Sequence, residues 1–392
     1  MKRRHHSAAL LLVIAYLGFI SLGLPDTVIG VAWPSVREAF DRQQGDIAWI
    51  FIGTSATYFL SSFFAGRLLG LMNIGTLLAV SSLLVAASGF GFGLSGWWLT
   101  FAACALVHGL GSGAIDSGLN HYVSRHFSAR HMTWLHACYS IGATMGPLIM
   151  TWVITTSGSW RSGYLTVASL LLLLGLLFVF TRERWGESTE PNAESESAND
   201  PPVTLTQALR VPVVWLQMLL FFFYTGLESA AGQWSYTLLT ESRAVSPQTA
   251  GLWVTLYWAS LALGRIGSGF IVDWLGIDRL LRLSTVLAVG GTGMLLLDNG
   301  TWLSALALGL TGLGLASIFP CLMTRTPQRV GAGVAAHAIG FQVSAAMTGV
   351  GVLPSLAGVL AQYQGLHVVP VLLIALAVLV LILHETLLRI TR

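Results

Sequence analysis

Asp116 is the side chain of this 392-residue sequence with the clearest capacity for chemistry. Asn120 follows it by four residues, and Gly109 and Gly113 precede it at helical spacing, so all four share one face of a helix. The glycines leave room for a neighbouring helix or a cavity, and the Asn120 amide can hydrogen-bond the carboxyl group. We predict that Asp116 carries protons. The alternative is a hydrogen-bonded acid that only holds helices together.

Asp26 is a second carboxyl group within a long apolar stretch. It follows Pro25 and lies between Gly23 and Gly30. A proline frees a backbone carbonyl group and favours a kink, which suits a helix that bends during gating. We predict proton coupling for Asp26 as well, with a solvated position at the mouth of a cavity as the alternative.

Several other polar side chains could contact a small polar solute. Glu228, Gln233 and Trp234 lie on one apolar segment. An amide suits hydroxyl groups, and an indole face suits the C–H face of a sugar ring, although Trp234 could instead anchor its helix at the membrane interface. His136 shares a helix face with Tyr139 and could relay protons or merely pack. The predicted substrate contacts are Asn120, His136, Tyr139, Glu228, Gln233, Trp234 and Gln342.

The composition indicates which kind of protein must position these groups. The chain is 54% hydrophobic and 9% charged, whereas a soluble domain carries about 25% charged residues. Apolar surface must therefore face lipid. The net charge of +3 comes from dispersed cations, which argues against a nucleic-acid partner. Cys104, Cys138 and Cys321 are isolated, so we expect neither a disulfide framework nor a metal site.

Twelve apolar segments are long enough to cross a bilayer, for which about 20 residues suffice. They cover approximately residues 7–34, 46–71, 74–94, 97–122, 131–156, 160–181, 211–240, 248–274, 278–297, 301–323, 332–360 and 365–388. The exception is segment 182–210, which is acidic and contains three prolines, and which we predict to be a cytoplasmic, mostly disordered linker. We predict an all-α membrane protein with twelve transmembrane helices in two six-helix bundles, at residues 1–181 and 211–392.

An internal repeat indicates that the two bundles are related. The run Gly109-Leu110-Gly111 recurs as Gly312-Leu313-Gly314, and Asp26 has a counterpart in Glu228 at nearly the same offset. Parallel repeats of this kind are typical of secondary transporters. The bundles should therefore be pseudo-symmetric.

The distribution of cations predicts the orientation. With the N-terminus inside, fifteen Lys and Arg residues fall in cytoplasmic segments and four in outer segments, with Arg265 left inside a helix. Lys and Arg are retained on the cytoplasmic side. We expect a multi-pass protein of the plasma (inner) membrane with both termini in the cytoplasm.

A loop motif adds a resemblance to a known family. Residues 269–276 read Gly269-Phe-Ile-Val-Asp273-Trp-Leu-Gly276, with Arg279 after them, and Gly142 is followed by Gly146-Pro147. Both patterns resemble the major facilitator superfamily over essentially the whole chain. In the first half only Gly66 of the loop motif remains. The resemblance implies the major facilitator fold and alternating access. It also implies gating roles for Gly269, Asp273 and Gly276, to which we add Arg265.

Within that superfamily the chain looks most like the fucose-permease-like sugar:proton symporters. Asp26, the pair Asp116 and Asn120, and the run Gly314–Pro320 are similar to that branch. Ala105 stands where many drug:proton antiporters have an arginine. The resemblance implies proton-coupled sugar symport by a functional monomer in the bilayer. The energy source would be the proton gradient, with no cofactor.

Three other functions compete with this interpretation. A proton-driven exporter of drugs, lipids or other apolar compounds is the main alternative, and it predicts a large apolar cavity. A channel fits two unlike halves poorly. An enzyme is not expected, because neither Asp26 nor Asp116 has the sequence context of an intramembrane aspartyl protease.

Overall fold

The computed structural model describes residues 2–127, 129–186, 204–297 and 300–391. Regular structure within these ranges is helical throughout, without a strand. The chain divides into two compact units, Met1–Ala193 (unit 1) and Glu194–Arg392 (unit 2). The division falls inside the predicted linker, 182–210.

The described part of each unit is a bundle of helices. Unit 1 contains α1 (Lys2–Asp26), α2 (Val28–Ala39), α3 (Ala48–Leu71), α4 (Ile74–Leu94), α5 (Trp98–His126), α6 (Ala129–Ser157) and α7 (Trp160–Thr181). Unit 2 contains α8 (Leu205–Leu209), α9 (Pro212–Thr237), α10 (Pro247–Leu275), α11 (Ile277–Met294), α12 (Gly300–Ala316), α13 (Ile318–Val330), α14 (Ala332–Gln364) and α15 (Val368–Ile390).

Each predicted membrane segment is mostly helical where the structure describes it. Among the described residues, ten helical stretches are long and apolar enough to cross a membrane. The predicted segments 248–274 and 278–297 lie on α10 and α11, which are not among these ten. Segments 7–34 and 301–323 each contain two helices instead of one.

Polar residues and prolines set the ends of several helices. The Asn73 side chain accepts the backbone N–H of Thr76 at 2.7 Å and caps α4. Ser246 accepts the N–H of Thr249, and Pro247 occupies the first turn of α10, where its missing donor is harmless. At the other end of α10, Gly276 has a φ of +78°, a conformation that favours glycine.

The first predicted span is interrupted at Thr27, directly after Asp26. The Thr27 hydroxyl donates to the carbonyl oxygen of Ala143 on α6 at 2.9 Å, which holds the break against a neighbouring helix. Pro25, two residues earlier, cannot donate a backbone hydrogen bond. The break separates α1 from α2 and places Asp26 at its edge.

The repeated Gly-Leu-Gly run has the same packing role in both units. A Cβ on Gly109 would lie 2.2 Å from the Thr54 carbonyl oxygen of α3, and one on Gly312 would lie 2.3 Å from the Tyr257 carbonyl oxygen of α10. The second glycines, Gly111 and Gly314, are equally close to α4 and α11. In each bundle, the missing side chains of the run allow the backbones of two neighbouring helices to come close to the helix that carries it.

Most of the predicted linker lies outside the described residues, which resume at Thr204. At its start, Arg182–Gly186 forms a 3-10 turn, and the Trp185 side chain is buried with its indole N–H donating to the Thr181 hydroxyl at 3.2 Å. At its end, Thr204 caps the short helix α8 together with Gln207.

Candidate functional site

Asp26 has partners on two other helices of unit 1. Its Oδ1 lies 3.0 Å from Nε2 of His108 on α5, and its Oδ2 accepts the Tyr139 hydroxyl of α6 at 3.0 Å. The other ring nitrogen of His108, Nδ1, lies 3.4 Å from the Ser88 hydroxyl of α4. The His108 side chain is 7% exposed and that of Asp26 is 29% exposed. The carboxyl group is thus bonded on both oxygens but still reachable.

Asp116 lies further along α5 and is bonded as the sequence predicts. The Asn120 amide donates to its Oδ1 at 3.0 Å, and the Tyr58 hydroxyl of α3 donates to the same carboxyl group. Tyr58 is also within electrostatic range of Asp26 and Tyr139. We call Asp26, Tyr58, His108, Asp116, Asn120 and Tyr139 the unit 1 polar cluster.

His136 lies one turn from Tyr139 on α6, but it faces an aromatic ring of α1. Its imidazole meets the Phe19 ring edge-on, with centroids 5.3 Å apart. The structure therefore places His136 beside the cluster, against an apolar neighbour. Its predicted role in substrate contact or proton relay stays a prediction.

Glu228 is the centre of a second polar cluster, in unit 2. Arg265 of α10 contacts both carboxylate oxygens through Nη2, at 3.1 Å each, and the Tyr224 hydroxyl donates to Oε2 at 2.5 Å. Tyr257 of α10 donates to the backbone carbonyl oxygen of Glu228 at 2.8 Å. We call Tyr224, Glu228, Tyr257 and Arg265 the unit 2 polar cluster. Arg265, predicted for gating, is thus paired with a predicted substrate contact.

The remaining predicted contacts of unit 2 are deeply buried. Gln233 is 5% exposed, and its amide nitrogen has no hydrogen-bond partner among the described residues. Trp234 is 0% exposed and donates to the Pro354 carbonyl oxygen of α14 at 2.9 Å. Gln342 is also fully buried and donates to Gln217 at 2.8 Å and to Thr326 at 2.9 Å. These three residues lie inside unit 2, and their contact with substrate stays a prediction.

The predicted gating motif follows Arg265 along α10. Gly269 has open space around it, Asp273 is exposed, and Gly276 ends the helix. Their role in gating stays a prediction.

Sequence reasoning missed part of each cluster. His108 was not among the predicted site residues, although it lies eight residues before Asp116 and therefore on the same face of α5. Tyr58 and Tyr257 had no such signal, because they come from other helices. Within the described ranges, no three His, Cys, Asp or Glu side chains come together as a metal site would require.

Comparison with known proteins relates this architecture to transporters. The Major Facilitator Superfamily model matches residues 15–346 and 235–392. Human sodium-dependent glucose transporter 1 is 21% identical over 394 residues, covering 90% of this chain and 74% of that protein. A bacterial homologue of the human lysosomal transporter Spinster, in an inward-facing and occupied conformation, has a TM-score of 0.77 at 12% identity, over 98% of this chain and 97% of its own.

FucP, an MFS transporter in the outward conformation, has a TM-score of 0.65 at 15% identity, over 97% of this chain and 99% of its own. At such identities these structures establish the fold alone. Together with the family match they confirm the predicted all-α major facilitator fold, the multi-pass membrane class and a transporter rather than an enzyme. The chain belongs to the Major Facilitator Superfamily.

Proposed function

We propose that this transporter is a proton-coupled symporter of a sugar or a similar small polar solute, working by alternating access. The observation that carries the proposal is the unit 1 polar cluster. It holds two carboxyl groups, Asp26 and Asp116, each with hydrogen-bond partners and each incompletely buried. Ionisable groups within membrane helices are costly and usually mark an ion or substrate pathway. Asp116 and Asp26 would carry the protons.

The unit 2 polar cluster supports a neutral substrate. Because Arg265 contacts both oxygens of Glu228, the two charges cancel locally, and the cluster offers tyrosine hydroxyls and a neutralised ion pair. The unsatisfied amide of Gln233 is a donor suited to a hydroxyl group. The name of the human relative, a sodium-dependent glucose transporter, agrees with this substrate class but gives sodium as the coupling ion of that protein.

The remaining features of the proposal follow from the sequence. The proton gradient supplies the energy, and no cofactor takes part. We place the protein in the inner membrane, and the excess of Lys and Arg in alternate loops favours a cytoplasmic position for both termini. A single chain carries both clusters, so we propose a functional monomer.

Proton movement in proteoliposomes tests the proposal. External pH is recorded while a panel of neutral sugars is added, for the unaltered protein, Asp116→Asn and the control Glu38→Gln, which alters an exposed carboxylate. We expect one sugar to trigger alkalinisation in the unaltered and control proteins. Asp116→Asn should lose this signal while still binding the sugar.

Two results would overturn the proposal. If no sugar moves protons but apolar compounds are extruded, the exporter is the better interpretation. If Asp116→Asn retains the full sugar-triggered pH change, Asp116 is not a coupling residue.

A further inference from the structure

The two units hold carboxyl groups at corresponding positions, but with different partners. Asp26 and Glu228 are related by nearly the same offset as the repeated Gly-Leu-Gly run, and each accepts a tyrosine hydroxyl, from Tyr139 and Tyr224 respectively. Each also contacts one nitrogen base. In unit 1 the base is His108, at 3.0 Å, and in unit 2 it is Arg265, at 3.1 Å.

The two bases differ in the property that matters for a proton. A guanidinium group stays charged at any physiological pH, so Glu228 and Arg265 form a pair of fixed, cancelled charges. An imidazole takes up and releases a proton near neutral pH. The pair in unit 1 can therefore change its net charge, whereas the pair in unit 2 cannot.

We propose that Asp26 and His108 form one proton-carrying pair, in which His108 positions the proton that Asp26 exchanges with water. The inference rests on the proposed proton-coupled transport and adds a residue to it. With one proton in the contact between Oδ1 and Nε2, the pair is neutral. When that proton leaves to water, one negative charge remains on Asp26.

The groups around Asp26 and His108 can stabilise the pair both before and after the proton leaves. The Tyr139 hydroxyl donates to Oδ2 and stabilises the carboxylate after the proton has left. The Ser88 hydroxyl contacts Nδ1 and fixes the imidazole ring, while the Phe92 ring packs against its side with centroids 6.4 Å apart. His108 is almost fully buried and Asp26 is the more exposed member, so exchange with water takes place at Asp26.

Other titratable groups surround the pair. Asp116 and Tyr58 are within electrostatic range of Asp26, and Tyr164 of α7 packs against Phe92 with ring centroids 5.2 Å apart. Asp116 can add a second negative charge. The cluster is therefore electrically neutral when the pair and Asp116 each hold a proton, and it becomes negative as these protons leave.

Three variants test the inference. His108→Gln keeps a hydrogen bond to Asp26 but removes the base, and His108→Arg reproduces the fixed pair of unit 2. His126→Gln removes an imidazole elsewhere on α5 and serves as the control. Purified protein is titrated by infrared difference spectroscopy, with the carboxyl C=O band of Asp26 assigned by its loss in Asp26→Asn.

We expect the pH midpoint of the Asp26 band to move by about one unit or more in His108→Gln, a tenfold change in proton affinity, as a neighbouring charge typically causes. In His108→Arg the band should be absent over the physiological range. Sugar binding should persist in this variant, and sugar-triggered proton movement should fall by at least tenfold. His126→Gln should match the unaltered protein.

An unchanged Asp26 midpoint in His108→Gln would overturn the pairing, even if His108→Arg does not fold. Full proton movement in a folded His108→Arg protein would do the same. Failure of the symport proposal is distinguishable, because it would abolish sugar-triggered proton movement in the unaltered protein while leaving the infrared titration readable.

Discussion

Arg265 contacts both carboxylate oxygens of Glu228 through the same nitrogen, Nη2, with both distances at 3.1 Å. The two side chains are only 14% and 13% exposed. Glu228 lies on α9 and Arg265 on α10, so the contact joins two helices of unit 2. Removing one member would leave the other charge buried without its counterpart.

We expect Glu228→Gln and Arg265→Gln each to destabilise the protein strongly, and the double variant to recover most of the loss. Breaking a buried ion pair on one side typically costs about 3–5 kcal/mol, because an uncompensated charge remains. Neutralising both sides removes that charge. The midpoint of unfolding in detergent, measured for all four proteins of the cycle, gives the coupling.

The exposed pair Arg282 and Glu385 provides the control. These side chains are 47% and 30% exposed, so Glu385→Gln should change stability by less than about 1 kcal/mol. Additive losses in the Glu228 and Arg265 cycle would mean that the two residues stabilise unit 2 independently.

The sequence predicts the helices well because a helix that crosses the bilayer needs about 20 mostly apolar residues, which are visible in the sequence. The apolar stretches from Ile74 to Leu94 and from Trp160 to Thr181 begin and end within a few residues of the predicted spans. The room for a neighbouring helix that the sequence predicts at Gly109 and Gly113 corresponds to close contacts with the backbone of α3. The break at Thr27 lies beside Pro25, where a kink was predicted, but the break at Ser317 was missed, because hydropathy continues across it.

The clusters were predicted only in part. Asp116 with Asn120 is a contact within one helix, so spacing suffices to predict it. The partners of Asp26 and Glu228 come from other helices, and their identity depends on how those helices pack. His108 was consequently not predicted for the site, and Arg265 was predicted for gating, although both contact a carboxylate that the sequence had singled out.

Gly142 provides a second prediction, on the approach of α6 to α1. A Cβ at this position would lie 2.1 Å from the Ile20 carbonyl oxygen, so Gly142→Ala must push the helices apart. Tyr139, one turn away, should then lose its hydrogen bond to Asp26. We expect a lower unfolding midpoint and reduced proton-coupled uptake. Gly290→Ala is the matched control, because Gly290 is helical and has open space around it.

The control should be neutral or slightly stabilising, since alanine is favoured over glycine by up to about 1 kcal/mol in a helix. If Gly142→Ala is as stable and as active as Gly290→Ala, the contact between α1 and α6 does not limit folding or coupling.

Gln342 provides the last prediction, because it belongs to a buried network and was also predicted to contact substrate. Its amide donates to Gln217 and Thr326, and all three residues are at most 1% exposed. Gln342→Leu leaves the Gln217 side chain without this partner, which should cost about 1–3 kcal/mol in unfolding free energy. Replacing both glutamines by leucine should recover part of that loss, because no unpaired amide then remains. Sugar affinity, measured in parallel on the same variants, separates the two roles: a change confined to stability indicates packing, whereas weaker binding by the stable double variant would identify Gln342 or Gln217 as a substrate contact.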